Sequence, residues 1–323
     1  MKTSCERTLT ILADGRFHSG EAIARELGIS RAAVWKHIQS LANYGLQVNA
    51  VTGKGYRLSQ KIELLDETMF GSYLSDEARS WLQGASVKLV TGSTSDDARA
   101  GAEDNRANLY LAELQRHGRG RQGRVWAGGF AESICMSMVW RFEQTAASLS
   151  GLSLCVGLAL VAALETLGIG DVQLKWPNDL FWRGRKLGGV LVELVGELAG
   201  RVTAVIGIGL NVDIKEAEQR IDQPWVDLTE ICGHVVSRNE LVAALVNSAN
   251  QMLPQFCRQG FGFFIGDWQR VDMLQGQPVT ISAGTQTWVG EAQGVQADGA
   301  LLVRTEGQLK PLYGGDVSVR LSL

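Results

Sequence analysis

Three apolar runs in the middle of the chain limit its possible folds more than any other feature: VQLKWPNDLFW (172–182), RKLGGVLVELV (185–195) and RVTAVIGIGLNVDI (201–214). Each reads as a strand, and the joints at Arg183-Gly184 and near Gly200 are hairpin turns. A parallel neighbour needs a crossover of about a dozen residues, so these strands run antiparallel. The expected class is α+β with a mixed, largely antiparallel sheet. LSGLSLCVGLALVAALETLGI (149–169) is hydrophobic on most faces and reads as a buried helix behind that sheet.

This topology bears on HGRGRQGR (117–124), where Gly118, Gly120 and Gly123 fit the G-x-G-x-x-G pattern. A dinucleotide site needs a strand before the loop and a helix after it. NLYLAELQ supplies the strand, but VWAGGFAESICMSMVW alternates into a second strand. The missing helix argues against a Rossmann turn. It does carry Arg119, Arg121 and Arg124 in six residues. Glycines allow close approach and guanidinium groups stay charged, which suits a gripped anion; a solvated basic turn is the alternative.

The net charge of −3 hides a split: residues 1–60 hold eight Lys/Arg against four Asp/Glu, and the rest hold 23 against 30. A small basic module on an acidic body follows. The five cysteines are scattered and the four histidines unpaired, so a disulfide framework or zinc site is not expected. The N-terminus lacks an apolar signal region, and no run of about 18 apolar residues is present, so a cytoplasmic setting is expected.

Within the basic module, Leu9, Ile11 and Leu12 begin a short helix. Ser19 caps a second helix that Gly28 ends, and Ser30 caps a third running to about Tyr44. Val34, Ile38 and Leu41 share one stripe of that helix. LQVNAVTGKGYRLS then reads as a two-stranded wing turning at Gly53-Lys54-Gly55. Ser30, Arg31, Ala32, Trp35, Lys36 and Gln39, with Lys54 at the wing tip, are the candidate DNA contacts. A protein-interaction module is the alternative. Useful specificity would need a dimer on two half-sites.

Beyond a linker near 61–66, SVKLVT reads as a strand and GSTSDDARAGAED as a helix capped by Ser93 or Ser95. In KWPND, Pro177 ends a strand and presents Asn178 and Asp179; the aspartate suits Mg²⁺ or an ordinary turn. In GRKLGG, Lys186 precedes a glycine pair, and strand glycines mark close approach by a ligand. In GIGLNV, Gly207 and Gly209 thin a strand, and Asn211 both donates and accepts. There is no Ser-His-Asp set and no activated cysteine. The inventory suits chemistry run by positioning and charge, such as attack of a carboxylate on a nucleotide phosphate.

GRGRQGRVW, KWPNDL, RKLGGVLVEL and GIGLNV, in that order, resemble the biotin protein ligases, in the bifunctional bacterial form that also represses the biotin operon. The resemblance spans nearly the whole chain. It implies a winged helix-turn-helix over 1–62, a class II synthetase-like ligase domain over 63–271 and a small SH3-like β barrel over 272–323. Its reaction makes biotinyl-5′-AMP from biotin and MgATP, then transfers biotin to a lysine of a biotin carboxyl carrier protein. By the same resemblance, biotin is bound by Ser93, Thr94, Ser95, Gln115, Gly118, Arg119, Gly120, Arg121 and Lys186. ATP and the adenylate are bound by Arg121, Arg124, Trp126, Lys186, Asn211 and Trp225. Arg119 and Arg121 close over the ligand, Trp126 stacks on adenine, Asn211 reads its edge, and Asp179 helps hold Mg²⁺. Ser95 stands where the family usually has asparagine, which implies a modest change in affinity. DIKEAEQRIDQPW (213–225) corresponds to a loop that orders over the adenylate, and KPLYGGD (310–316) to a motif near the nucleotide. Adenylate binding would promote homodimerisation and operator binding. A lipoate or octanoate ligase, and a DNA-binding sensor without catalysis, are the rival readings.

Overall fold

The computed structural model describes residues 3–102, 107–198, 201–215, 223–315 and 317–322. The N-terminal unit consists of α1 (Ser4–Leu12), α2 (Gly20–Leu27), α3 (Arg31–Leu41) and the hairpin of β1 (Val48–Val51) and β2 (Gly55–Leu58). Helix α1 ends at Leu12 instead of beginning near Leu9, because Thr3 and Glu6 form a capping box that starts it early. Ser19 and Ser30 accept from the N–H groups of Ala22 and Ala33, capping α2 and α3. Leu9, Leu12, Ile23, Val34, Ile38 and Leu41 are buried together. Arg31, Ala32, Trp35, Lys36 and Gln39 are left on the exposed face of α3. The wing folds tightly on the segment before α2: a Cβ at Gly55 would lie 2.1 Å from the His18 carbonyl oxygen.

Short helices α4 (Glu67–Ser72) and α5 (Asp76–Trp81) lead into the central sheet. Its strands, with the helices between them, are β3 (Ala85–Thr91), α6 (Thr94–Gly101), β4 (Leu109–Gln115), β5 (Ser133–Phe142), α7 (Leu152–Thr166), β6 (Val172–Lys175), β7 (Asp179–Trp182), β8 (Arg185–Leu198) and β9 (Arg201–Asn211). The seven strands lie in the order β3-β4-β5-β9-β8-β7-β6. Among the described residues, β3 and β4 are the one pair of these strands that runs parallel, so the sheet is mixed and largely antiparallel. Residues 172–182 form two strands, not one. Proline cannot donate to a ladder, and the chain folds back at 176–178 so that Lys175 faces Asp179 across a hairpin.

Helices α8 (Leu228–Cys232), α9 (Arg238–Gln259) and α10 (Ile265–Val271) follow. Helices α7 and α9 pack together on one face of the sheet, against Ile134, Met136, Met138, Ile206, Ile208 and Leu210. Residues 146–166 are the one stretch, among those described, long and apolar enough to cross a membrane; most of it is buried as a core helix. The C-terminal strands β10 (Pro278–Ala283), β11 (Gln286–Val295), β12 (Leu301–Thr305), β13 (Gln308–Leu312) and β14 (Val317–Leu321) form an antiparallel sheet.

The linker is pinned, not slack. The Glu63 carboxylate accepts from Ser237 Oγ and the Arg238 N–H at the start of α9. The buried Arg238 guanidinium lies 2.6 Å from Glu113 of β4.

Candidate active site

Cross-strand neighbours share a face, so the register itself lays out a floor. One row runs Lys175 (β6), Asp179 (β7), Gly189 (β8), Gly209 (β9) and Cys135 (β5). The next runs Leu191, Gly207 and Ser137, and a third pairs Asn211 with Ser133. All lie on the face turned away from α7 and α9. Adjacent strands are about 4.8 Å apart, so Asp179 and Cys135 are separated by about 14 Å. Glycine, serine and cysteine along that distance leave a shallow trough where the opposite face carries large apolar side chains.

Helix α6 walls one end. Ser93 caps it, accepting from the Ser95 N–H at 3.3 Å. The Gln115 Oε1 at the end of β4 accepts from the Thr94 N–H at 2.7 Å and from Thr94 Oγ1 at 3.1 Å. Thr94 Oγ1 and Ser95 Oγ both meet Ser137 Oγ, at 2.8 and 3.2 Å. Ser95 is accommodated by Gly207, where a Cβ would lie 2.9 Å from its hydroxyl.

The glycine-arginine segment folds as a tight loop above the floor. The Trp126 N–H donates to Gly118 O and the Gly120 N–H to Arg124 O. A Cβ at Gly118 would sit 2.8 Å from Trp126 O, so glycine permits this closure. The Trp126 indole lies on the floor: a Cβ at Gly209 would be 2.6 Å from its Cε2. Arg119 and Arg121 diverge. Arg119 Nη2 pairs with Asp96 at 2.7 Å, beside Glu193. Arg121 donates to Gly315 O at 2.6 Å and to Asn178 Oδ1 at 3.4 Å, so the C-terminal KPLYGG segment props the loop. Arg124 is exposed.

At the other end, Lys186 Nζ donates to Asp179 Oδ1 at 2.8 Å, with both side chains largely shielded. Trp225 is held beside Lys186 by backbone bonds, Lys186 N–H to Pro224 O and Val226 N–H to Lys186 O. Asn211, 3% exposed, donates its amide to Val226 O at 3.1 Å and knits this segment to the sheet. Of the expected adenylate loop, residues 216–222 lie outside the described residues; Asp227 fastens its base, accepting from the Ile214 and Glu230 N–H groups. Among the described residues, no three His, Cys, Asp or Glu side chains gather as a metal centre.

The structure thus brings Ser93, Thr94, Ser95 and Gln115 to one end, Lys186 and Asp179 to the other, and Trp126 between them. It also adds residues that the sequence reading passed over. Lys175 shares the row of Asp179; burial pulls its ammonium below the usual lysine range, against the pull of Asp179 and with the help of Lys186, Arg320 and Arg124. Cys135 lies under Gln115 and Trp126, and burial pushes its thiol up to about 11. Ser137 joins both residues of the Thr94-Ser95 pair. The available signal was the alternation in SICMSMVW, whose small residues mark the face that is not core.

A trough between a serine-threonine helix start and a lysine-aspartate pair, roofed by a glycine-arginine loop that runs on into a strand, suits a ligase of small acids and lacks the loop-to-helix turn of a dinucleotide enzyme. Residues 90–213 match the biotin/lipoate A/B protein ligase family, 6–57 an HTH domain and 275–320 the biotin protein ligase C-terminal domain. The bifunctional ligase/repressor BirA of Salmonella typhimurium is 38% identical over 97% of this chain and 96% of its own length. That of Escherichia coli is 37% identical over the same shares of each chain. The structure of the Aquifex aeolicus biotin protein ligase with biotin and ATP aligns with a TM-score of 0.64 and 27% identity, covering 74% of this chain and 100% of that one. This chain belongs to the biotin protein ligases of the bifunctional ligase/repressor kind.

Proposed function

We propose that the chain joins biotin to AMP in the trough, passes biotin to a lysine of a carboxyl carrier protein, and uses its N-terminal unit to repress at operator DNA. The observation that carries the reading is the in-register row from Asp179 through Gly189 and Gly209 to Cys135, with Lys186 at one end and the Thr94–Gln115 pair at the other. It fits an extended ligand laid along the Trp126 indole that covers Gly209, with an anion at one end and a polar ring at the other. The biotin carboxylate attacks the α-phosphorus as the bond to the bridging oxygen breaks and pyrophosphate leaves. Lys186 offsets the charge that builds there, and Lys175 and Arg124 receive the phosphates. Trp126 and Trp225 flank the nucleotide. A carrier lysine then attacks the acyl carbon and AMP departs.

Magnesium would come as MgATP, and Asp179, a single carboxylate already bonded to Lys186, is the residue that would help to hold it and to offset phosphate charge. Units of 1–62, 63–271 and 272–323 assign DNA binding, adenylation and loop support in turn. Arg31, Trp35, Lys36, Gln39 and Lys54 face the operator. The adenylate favours a homodimer that spans two half-sites, so intermediate and corepressor are one molecule.

The test is pyrophosphate exchange into ATP. Biotin should drive it and lipoate should not; the reverse preference would make this a lipoate ligase. Lys186→Ala should cut exchange by at least about a hundredfold, the scale of losing one preorganised charge contact. Exchange at the parent rate would remove Lys186 from the chemistry.

A further inference from the structure

The two leading arginines of the loop do different work. Arg119 Nη2 lies 2.7 Å from Asp96 Oδ1 in the first turn of α6. It is also 3.5 Å from Glu193 Oε2 on β8, within ion-pair range though outside hydrogen-bond geometry. The other Glu193 oxygen takes a 2.7 Å bond from Arg99 of α6. Glu193 Oε2 is shielded from solvent without a donor. A short swing of Arg119 would let its planar fork serve both acids.

We propose that Asp96 and Glu193 form a catch for Arg119, which shuts the trough at its Thr94–Gln115 end and does not bind the reacting anion. The proposal rests on the adenylating role given above. Asp96, Glu193, Arg99 and Arg119 sum to no net charge, so they add no attraction for phosphate. That attraction comes from Lys186, Lys175, Arg121 and Arg124. Arg119 follows Gly118 directly, and Asp96 follows the Thr94-Ser95 pair directly. Joining them fastens the roof of the trough to its wall. Exposed single pairs contribute little, but this catch has several members and Glu193 is mostly covered. Asp96 is thus a positioning residue for retention of the adenylate.

The experiment uses the full chain with biotin and MgATP but no carrier. AMP release then reports adenylate lost to water, which attacks the acyl carbon as AMP leaves. Asp96→Asn should raise AMP release about fivefold and raise KM for biotin, with kcat for exchange little changed. Asp96→Glu should restore retention. The reversed pair Asp96→Arg with Arg119→Asp should retain adenylate better than either single change. If Asp96→Asn instead tightens biotin or slows release, the acids merely park a ligand-binding guanidinium and the proposal fails. Unchanged release also overturns it. Absence of biotin-driven exchange in the unaltered chain would instead sink the adenylating role, and it would show before any substitution is made.

Discussion

Lys175 is the residue in which burial and function meet most directly. A lysine whose pKa is lowered by burial loses its charge at a lower pH than an ordinary lysine. If its ammonium serves ATP phosphates, KM for ATP should climb on the alkaline side sooner than an ordinary lysine would allow. Lys175→Arg, which keeps its charge, should delay that climb, and Lys175→Met should remove it while raising KM about tenfold at neutral pH. Profiles of KM for ATP between about pH 7 and 10 decide the matter; coincident lysine and arginine profiles would take Lys175 out of phosphate binding. Lys186 was legible in the sequence because a glycine pair inside an apolar strand is anomalous. Lys175 was not, because its partner Asp179 is four residues away and meets it only after the chain folds back at Pro177. Arg119 and Arg121 looked equivalent in the sequence. The loop separates them through the Arg119–Val125 bridge and the turn at 121–123.

Among the elements, β5 and β9 carry the most information, since each is core on one face and active site on the other. The antiparallel layout and the buried helix α7 could be read from turn lengths and from the lack of any polar stripe. The side of the sheet that holds the site could not be read until α7 and α9 had claimed the other. Gly209 tests this division. A methyl group there meets the face of the Trp126 ring at 2.6–2.8 Å, and the neighbours Gly189 and Cys135 leave no large side chain to absorb the shift. Gly209→Ala should therefore lift the indole off the floor and raise KM for ATP about tenfold. Because Trp126 belongs to a loop, the thermal transition should stay near that of the parent. A large drop in melting temperature would mean that the glycine serves the sheet and not the indole. Capping boxes act at the same scale: the Thr3–Glu6 box extends α1 toward the N-terminus by a turn that hydrophobic spacing alone did not show.

At the scale of the whole molecule, the DNA-binding unit forms part of the scaffold of the ligase. The loop that carries the arginines returns to β5 through Phe130, which is 5% exposed and sits in the hydrophobic cluster of the N-terminal unit. Its ring stacks on Tyr44 at 5.8 Å, and Arg116, before the loop, donates to the Asn43 carbonyl. The roof of the trough is thus tied to the start of the trough wall at Asp96, to the C-terminal sheet at Gly315 and to the winged helix at Phe130. A ligand that fixes the roof would bias the seat of the winged helix where the two move together, and reciprocity would then let the seat bias the ligand. Phe130→Ala should remove about 3 kcal/mol of packing from this seat. We expect the N-terminal unit to unfold in a separate, lower transition, visible by calorimetry. KM for biotin should rise even though Phe130 lies outside the trough, and operator binding should become less responsive to biotin and ATP. A variant with weakened DNA binding but unchanged KM for biotin would show that the two halves share a chain without sharing energy.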